Sequence, residues 1–372
     1  MIDTICLLVP LNQCVFLDEN NVEIPNWDMY SKTDHYKKFV RNPSKKEKAT
    51  GLYFPRLTRF ERKTAILQNV KIEFSAPKLL YGNNLEELID SDFDRVLETL
   101  RDRLVRMGIR LFQHSLEGAK VSAIHYSKNI LLTDGYTASH LITEIGKIDL
   151  RRSFDFARAR FINDGQSLCA HTDSHELVIY DKIADLNKGK KRAIDRDQKP
   201  CQTSLFGEFK NKKEPVEILR FEIRLGKGVK IKSILKGLNF KNDLTFKEMF
   251  SNEISRKVVW LYWEKIINAR NNGLFTISIT NKDLLREIYR SYPRIKANRA
   301  IFLVGLSTLA KEGNGLGELR SIVARTAKDR SWGRIMEQYR AFTKTIPRDR
   351  VRDWVDQIDK ALKEYKPYKI SL

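Results

Sequence analysis

Apolar side chains alternate at Ile5, Leu7 and Val9, a period of two that predicts a strand closed by Pro10. From about Asp18 to Thr50 the chain is polar and irregular, and Ser44–Lys48 reads as an exposed loop. Period-two patterning returns near Leu52–Phe54 and Val70–Ser75, then over Lys120–Leu132, His175–Ile183 and Ile218–Leu225. A helical period interrupts it, with Phe93, Val96, Leu97, Leu100, Leu104 and Met107 on one face, Asp92 as N-cap and Gly108 as the stop. Thr137–Ile145 reads as a second helix.

Beyond residue 240 the period is helical throughout. Thr245 and Glu248 form a capping box ahead of a long helix to about Ala269. Asn281–Tyr289, Ala297–Lys311, Leu316–Ala324, Ser331–Lys344 and Arg350–Tyr365 follow. The pattern therefore predicts an α+β fold. A central antiparallel sheet with flanking helices fills about 1–235, broken by a charged insertion at about 187–213. An all-helical unit over 240–372 follows it.

Charge narrows the function. The 372 residues carry 68 Lys and Arg against 47 Asp and Glu, a net +21, which attracts a polyanion. Nucleic acid and an anionic membrane surface both qualify. The best apolar run, Ala300–Ala310, is too short for a bilayer, which needs roughly 20 residues, so no membrane partner is expected. Met1-Ile2-Asp3-Thr4 lacks the basic start of a signal peptide, and a cytoplasmic location is expected. Cys6, Cys14, Cys169 and Cys201 are scattered, without metal-binding or disulfide spacing, and read as reduced thiols.

Alternation also sorts the polar residues of each strand. Glu73 points away from Val70, Ile72 and Phe74. Arg220, Glu222 and Arg224 oppose Leu219, Phe221, Ile223 and Leu225. Tyr180 and Lys182 share a face, and His125 sits beside small residues. In one sheet, Glu73, His125, Glu222, Tyr180 and Lys182 can converge. Carboxylates with an imidazole suit Mg²⁺ or Mn²⁺. Such an ion polarises a phosphate for attack by a tyrosine, and a lysine stabilises the charge. Each residue also has a plainer role: a solvated strand face, a packing tyrosine, a satisfied histidine, a salt-bridge stripe.

The same strands resemble the gene II replication proteins of filamentous phages and their plasmid relatives. The resemblance rests on four stretches in matching order. They are Met1-Ile2-Asp3-Thr4 with its strand, Val70-Lys71-Ile72-Glu73-Phe74 running on through Pro77-Lys78 to Gly82-Asn83-Asn84, His175–Lys182, and Leu219–Arg224. Ser331-Trp332-Gly333-Arg334 is similar to a further family segment. The chain departs from the family at His125, where members have an Asp, and it lacks a His-hydrophobic-His pair.

The resemblance implies a metal-dependent endonuclease and strand transferase of rolling-circle replication. Tyr180 would hold the 5′ phosphate of the nicked strand, Lys182 would assist, and Glu73, His125 and Glu222 would ligate the metal. The implied partners are single- and double-stranded origin DNA and a host helicase and polymerase in a bacterial cell. A non-catalytic origin-binding or repressor protein of the same fold, and a plasmid initiator sharing the Tyr-Asp-Lys and Arg-Phe-Glu strands, are the alternatives. A tyrosine recombinase would instead place its tyrosine late in the chain.

Leu316–Ala324 and Ser331–Lys344 predict either a helix-turn-helix or a plain basic bundle. Arg330, Arg334 and Arg340 are its candidate DNA contacts, with Arg220 and Arg224 beside the nicking residues.

Overall fold

In the computed structural model the period-two stretches join one sheet. The structure describes residues 1–17, 29–32, 36–62, 68–148, 158–162, 166–187, 216–241, 243–269, 280–313, 315–323, 329–343 and 353–370. The charged insertion at 187–213, the 325–328 connection and Cys201 lie almost wholly or wholly outside them.

The strands are β1 (Ile2–Pro10), β2 (Cys14–Phe16), β3 (Met29–Lys32), β4 (Tyr36–Arg41), β5 (Arg56–Arg62), β6 (Asn69–Ser75), β7 (Ile109–Leu111), β8 (Lys120–Leu131), β9 (Arg158–Ile162), β10 (Ser167–His171), β11 (His175–Asp181) and β12 (Ile218–Leu225). Ten of them form one sheet in the order β3-β4-β5-β6-β1-β8-β12-β11-β10-β9, and every pairing is antiparallel. β2 and β7 make a separate pair. The chain is thus mixed α+β with a large antiparallel sheet.

One face of the sheet is apolar. Ile5, Leu7, Val70, Ile72, Phe74, Val121, Ile124, Phe221 and Ile223 are fully buried in a single core. Helix Phe93–Arg106 adds Val96, Leu97, Leu100 and Leu104 to that core, the stripe its periodicity predicts. Helix Asn252–Ala269 sets Trp263 edge-on against Phe221, with ring centres 5.4 Å apart. Helix Asp353–Glu364 joins it through Asp359, which accepts a hydrogen bond from the Trp263 indole. Between these two in sequence, helices Asn281–Ser291, Ala297–Lys311, Gly315–Val323 and Asp329–Thr343 pack on one another. No helix of the described residues is long and apolar enough to cross a membrane.

Several elements differ from the pattern. Leu52–Phe54 is not a strand; the pairing starts at Arg56. Ser44–Lys48 is not an open loop. Ser44 accepts from the Glu47 amide, the Glu47 carboxylate accepts from the Ser44 amide, and this capping box starts helix Lys45–Ala49. Thr245 caps only the short helix Phe246–Met249, and the long helix begins afresh at Asn252. Asp92 accepts from the Ile89 amide, the Tyr81 hydroxyl and the Arg95 guanidinium rather than from a backbone amide of the helix that follows it.

Gly108 is the helix stop that the sequence predicts. Its φ of +82° is left-handed, and a Cβ there would stand 2.6 Å from the Leu17 carbonyl oxygen, whose amide donates back to Gly108 O at 2.8 Å. Gly108→Ala is therefore expected to destabilise the fold by at least about 1–2 kcal/mol, the cost of a left-handed alanine, before the clash is counted. Urea unfolding of the variant measures it.

Candidate functional site

β1, β8, β12 and β11 run side by side at the middle of the sheet. Their side chains opposite the apolar core build the candidate site. On β12, Leu219, Phe221, Ile223 and Leu225 enter the core, leaving Arg220, Glu222 and Arg224 on the other face.

Register decides what meets Glu222. On β11, Val178 stands opposite Glu222 and Tyr180 opposite Arg220; on β8, Ser127 stands opposite Glu222 and His125 opposite Arg224. Tyr180 and His125 are thus diagonal neighbours of Glu222, one from each side, within reach of long side chains. The Tyr180 hydroxyl donates to Glu222 Oε2 at 3.1 Å, and His125 Nδ1 lies 3.5 Å from Glu222 Oε1.

Asp3 completes the group. Alternation from Ile5, Leu7 and Val9 would aim it into the core. A register shift against β8 between Ile2 and Thr4 brings it instead to the polar face. Asp3, His125 and Glu222 each offer a ligand atom, all within 4.8 Å of one another. Ligands around one Mg²⁺ or Mn²⁺ ion stand at most about 4.2 Å apart, twice a bond of about 2.1 Å. A small side-chain adjustment closes the difference, so the three could hold a divalent cation.

Two guanidiniums share the site. Arg224 Nε lies 2.7 Å from Glu222 Oε1, and its Nη1 lies 2.9 Å from Glu176 Oε2. Arg220 is 1% exposed and donates to Asn84 O, Asn129 Oδ1 and Ser127 Oγ. Its Nη2 approaches Asp3 Oδ1 to 2.7 Å, yet without hydrogen-bond geometry, so that buried oxygen has no hydrogen-bond donor. Arg220 Nε, 3.7 Å from Glu222 Oε2, is a buried donor without an acceptor. Asp3 Oδ1, ion-paired with Arg220 but without a hydrogen-bond donor, stands beside an imidazole and a second carboxylate, a set that could hold a cation.

Burial alone would raise the Glu222 pKa. Arg224, then His125 and Arg220, outweigh it and hold the carboxyl well below its ordinary range. Burial pushes the half-buried Tyr180 phenol well above its ordinary value, opposed chiefly by Arg220 and reinforced by Glu222. Tyr180 is therefore a protonated donor at neutral pH, and it needs its environment to change before it can act as a nucleophile.

The structure brings together Tyr180, His125 and Glu222. It does not bring Glu73 to them. Glu73 lies one strand further out on β6, opposite Cys6 of β1 rather than near Asp3, and pairs with Lys71 at 3.0 Å. Lys182 does not extend the strand face of Tyr180, because β11 ends at Asp181 and Lys182 opens helix Lys182–Asn187. There it is fully buried, donates to Asn84 Oδ1 at 2.9 Å, and sits 5.7 Å from the centre of the Tyr180 ring.

Arg220 is corrected as a DNA contact, since its guanidinium is buried among protein acceptors. Arg224 remains partly exposed. Arg334 is exposed and Arg340 half-buried on helix Asp329–Thr343; the side chain of Arg330 lies outside the description. Sequence reasoning missed Asp3, because only the bulge, invisible in the alternation, turns it toward Glu222.

Comparisons with family models, with curated proteins and with solved structures return no match.

Proposed function

We propose that the protein is a metal-dependent tyrosine nickase and strand transferase that initiates rolling-circle replication. The observation that carries the reading is the contact of the Tyr180 hydroxyl with Glu222, itself grouped with His125 and Asp3. A nucleophile, a cation-binding acidic cluster and a guanidinium stand on four adjacent strands, and the net charge of +21 suits a DNA substrate. The resemblance of the Tyr180 and Glu222 strands to the gene II replication proteins supports the same chemistry.

In this reading Asp3, His125 and Glu222 hold Mg²⁺ or Mn²⁺, which when bound supplies charge to polarise the scissile phosphate. Arg224, which reaches solvent, meets a non-bridging phosphate oxygen. The Tyr180 oxygen bonds to phosphorus as the bond to the 3′ oxygen breaks. The phenolic proton leaves to solvent, and the 3′ oxygen gains one. A 5′-phosphotyrosine conserves the phosphodiester energy, so the rejoining step needs no ATP. The 3′ hydroxyl is then available to prime synthesis by a host polymerase, behind a host helicase, in a bacterial cytoplasm.

One observation favours a second reading. Glu222 already contacts Arg224, Arg220, His125 and Tyr180, which satisfies the carboxylate without an ion and fits a non-catalytic origin-binding protein. Trapping decides between them. Wild-type protein incubated with Mn²⁺ and supercoiled DNA of its replicon is expected to carry a nucleotide on the peptide that contains Tyr180 after nuclease and protease digestion. An adduct on any other residue, or nicking with no adduct, overturns the proposal.

A further inference from the structure

The helical region carries a second feature, about 50 residues or more from any candidate catalytic residue in sequence. A cleft of about 530 Å³ opens where the turn after helix Asn281–Ser291 meets the start of helix Ala297–Lys311, and Gln338 and Ala341 of helix Asp329–Thr343 close its other side. Its volume is in the range of small-ligand sites.

The lining has two characters. Tyr292, Ile295 and Leu303 give it an apolar wall, and the Tyr292 hydroxyl is tied to the Ala341 carbonyl at 3.3 Å, which fixes the ring. Arg294 and Arg299 are exposed at the cleft, and neither makes an ion pair among the described residues. By contrast the nearby Arg286 and Arg290 are paired with Asp283 and Glu287 on their own helix. Among the described residues no acidic side chain lines the cleft.

We propose that this cleft binds one unpaired nucleotide of single-stranded DNA. A base has two apolar faces and a polar edge. The Tyr292 and Leu303 wall takes a face, and the Gln338 amide, which both donates and accepts, meets the edge. Arg294 and Arg299 take the flanking phosphates. An acidic peptide would use the arginines but leave the flat wall without a partner. A duplex cannot enter, because its bases are stacked and paired. The inference rests on the reading above in one respect, that the polymer is DNA. It adds a hold on the strand remote in sequence from the nicking residues.

The test uses full-length Tyr180→Phe protein without added metal, so that no nicking intrudes, and oligodeoxynucleotides carrying 2-aminopurine. Stacking in the cleft is expected to quench the probe. Ala341→Trp fills the cleft from an exposed position and is expected to weaken single-strand binding roughly 10- to 100-fold, with duplex binding unchanged. Arg294→Ala with Arg299→Ala is expected to lower the slope of log K against log salt by about 1.4, or about 0.7 per lost phosphate contact. Single-strand binding untouched by either variant overturns the proposal, as does an equal loss for duplex. Displacement of the oligonucleotide by micromolar deoxyadenosine monophosphate overturns the assignment to a strand. Duplex binding without single-strand binding removes the cleft alone; binding to neither removes the nickase reading as well.

Discussion

Tyr180→Phe protein is expected to leave supercoiled replicon DNA closed, with nicking reduced to background, a loss that can reach the order of 10⁶-fold when a covalent nucleophile is removed. The substitution deletes one oxygen and keeps the ring beside Lys182. It also breaks the hydrogen bond to Glu222, which is buried at 3% exposure and ion-paired to Arg224 and Arg220. Hydrogen bonds to charged groups contribute about 1.5–3 kcal/mol, so a modest fall in stability accompanies the change without unfolding the chain. In the nickase reading, DNA affinity would rest on arginines and lysines elsewhere and is expected to hold. Agarose-gel nicking assays and a parallel binding isotherm separate the two outcomes. Nicking at the wild-type rate would remove Tyr180 from the chemistry altogether.

The largest effect on stability is expected from Glu222→Ala. Arg220 and Arg224 would lose the carboxylate they share, but Arg220 keeps Asp3 and Arg224 keeps Glu176, so the loss stays below the about 3–5 kcal/mol of an uncompensated buried charge. Mn²⁺ binding, measured by calorimetry or by paramagnetic broadening of the His125 ring signals, is expected to vanish with it. Glu73→Gln supplies the contrast. Glu73 is partly exposed beside Lys71, so stability should move by no more than about 0.5 kcal/mol and Mn²⁺ affinity should stay.

The pH dependence follows with a definite sign. The Glu222 carboxyl in the fold lies well below its unfolded value of about 4.3. Its contribution is therefore full above about pH 4.3 and is lost as pH falls through the depressed value. Acid unfolding of wild type at pH 2–4 that Glu222→Ala lacks would display it; identical acid profiles would deny the ion-pair account.

The sheet was readable because its strands alternate cleanly. Ile5, Leu7, Val9, Val70, Ile72, Phe74, Phe221 and Ile223 are all in the core, and their phase correctly places Glu222 and Arg224 on the opposite face. What alternation cannot express is a change of phase. The bulge at Ile2–Thr4 carried Asp3 across the sheet, and the end of β11 at Asp181 took Lys182 off the Tyr180 face. Strand order was equally hidden. Glu73 has the right residue type and phase, yet β6 lies beyond β1, and only the register of pairing reveals that it faces Cys6. Arg220 shows a third limit: a charge on a polar strand face reads as exposed until a neighbouring segment, here Asn84, covers it.

β12 slots between β8 and β11, although 86 residues separate the ends of β8 and the start of β12 and 36 separate β11 from it. No hairpin made of chain neighbours contains Asp3, His125, Tyr180 and Glu222, so none can form early and locally. Without β12 in place, Tyr180 lacks the Glu222 carboxylate and Asp3 and His125 lack their third partner. Assembly by such distant pairings is slow, typically milliseconds to seconds. A newly made chain would therefore spend that interval without an assembled site, and in the nickase reading without the means to cut DNA.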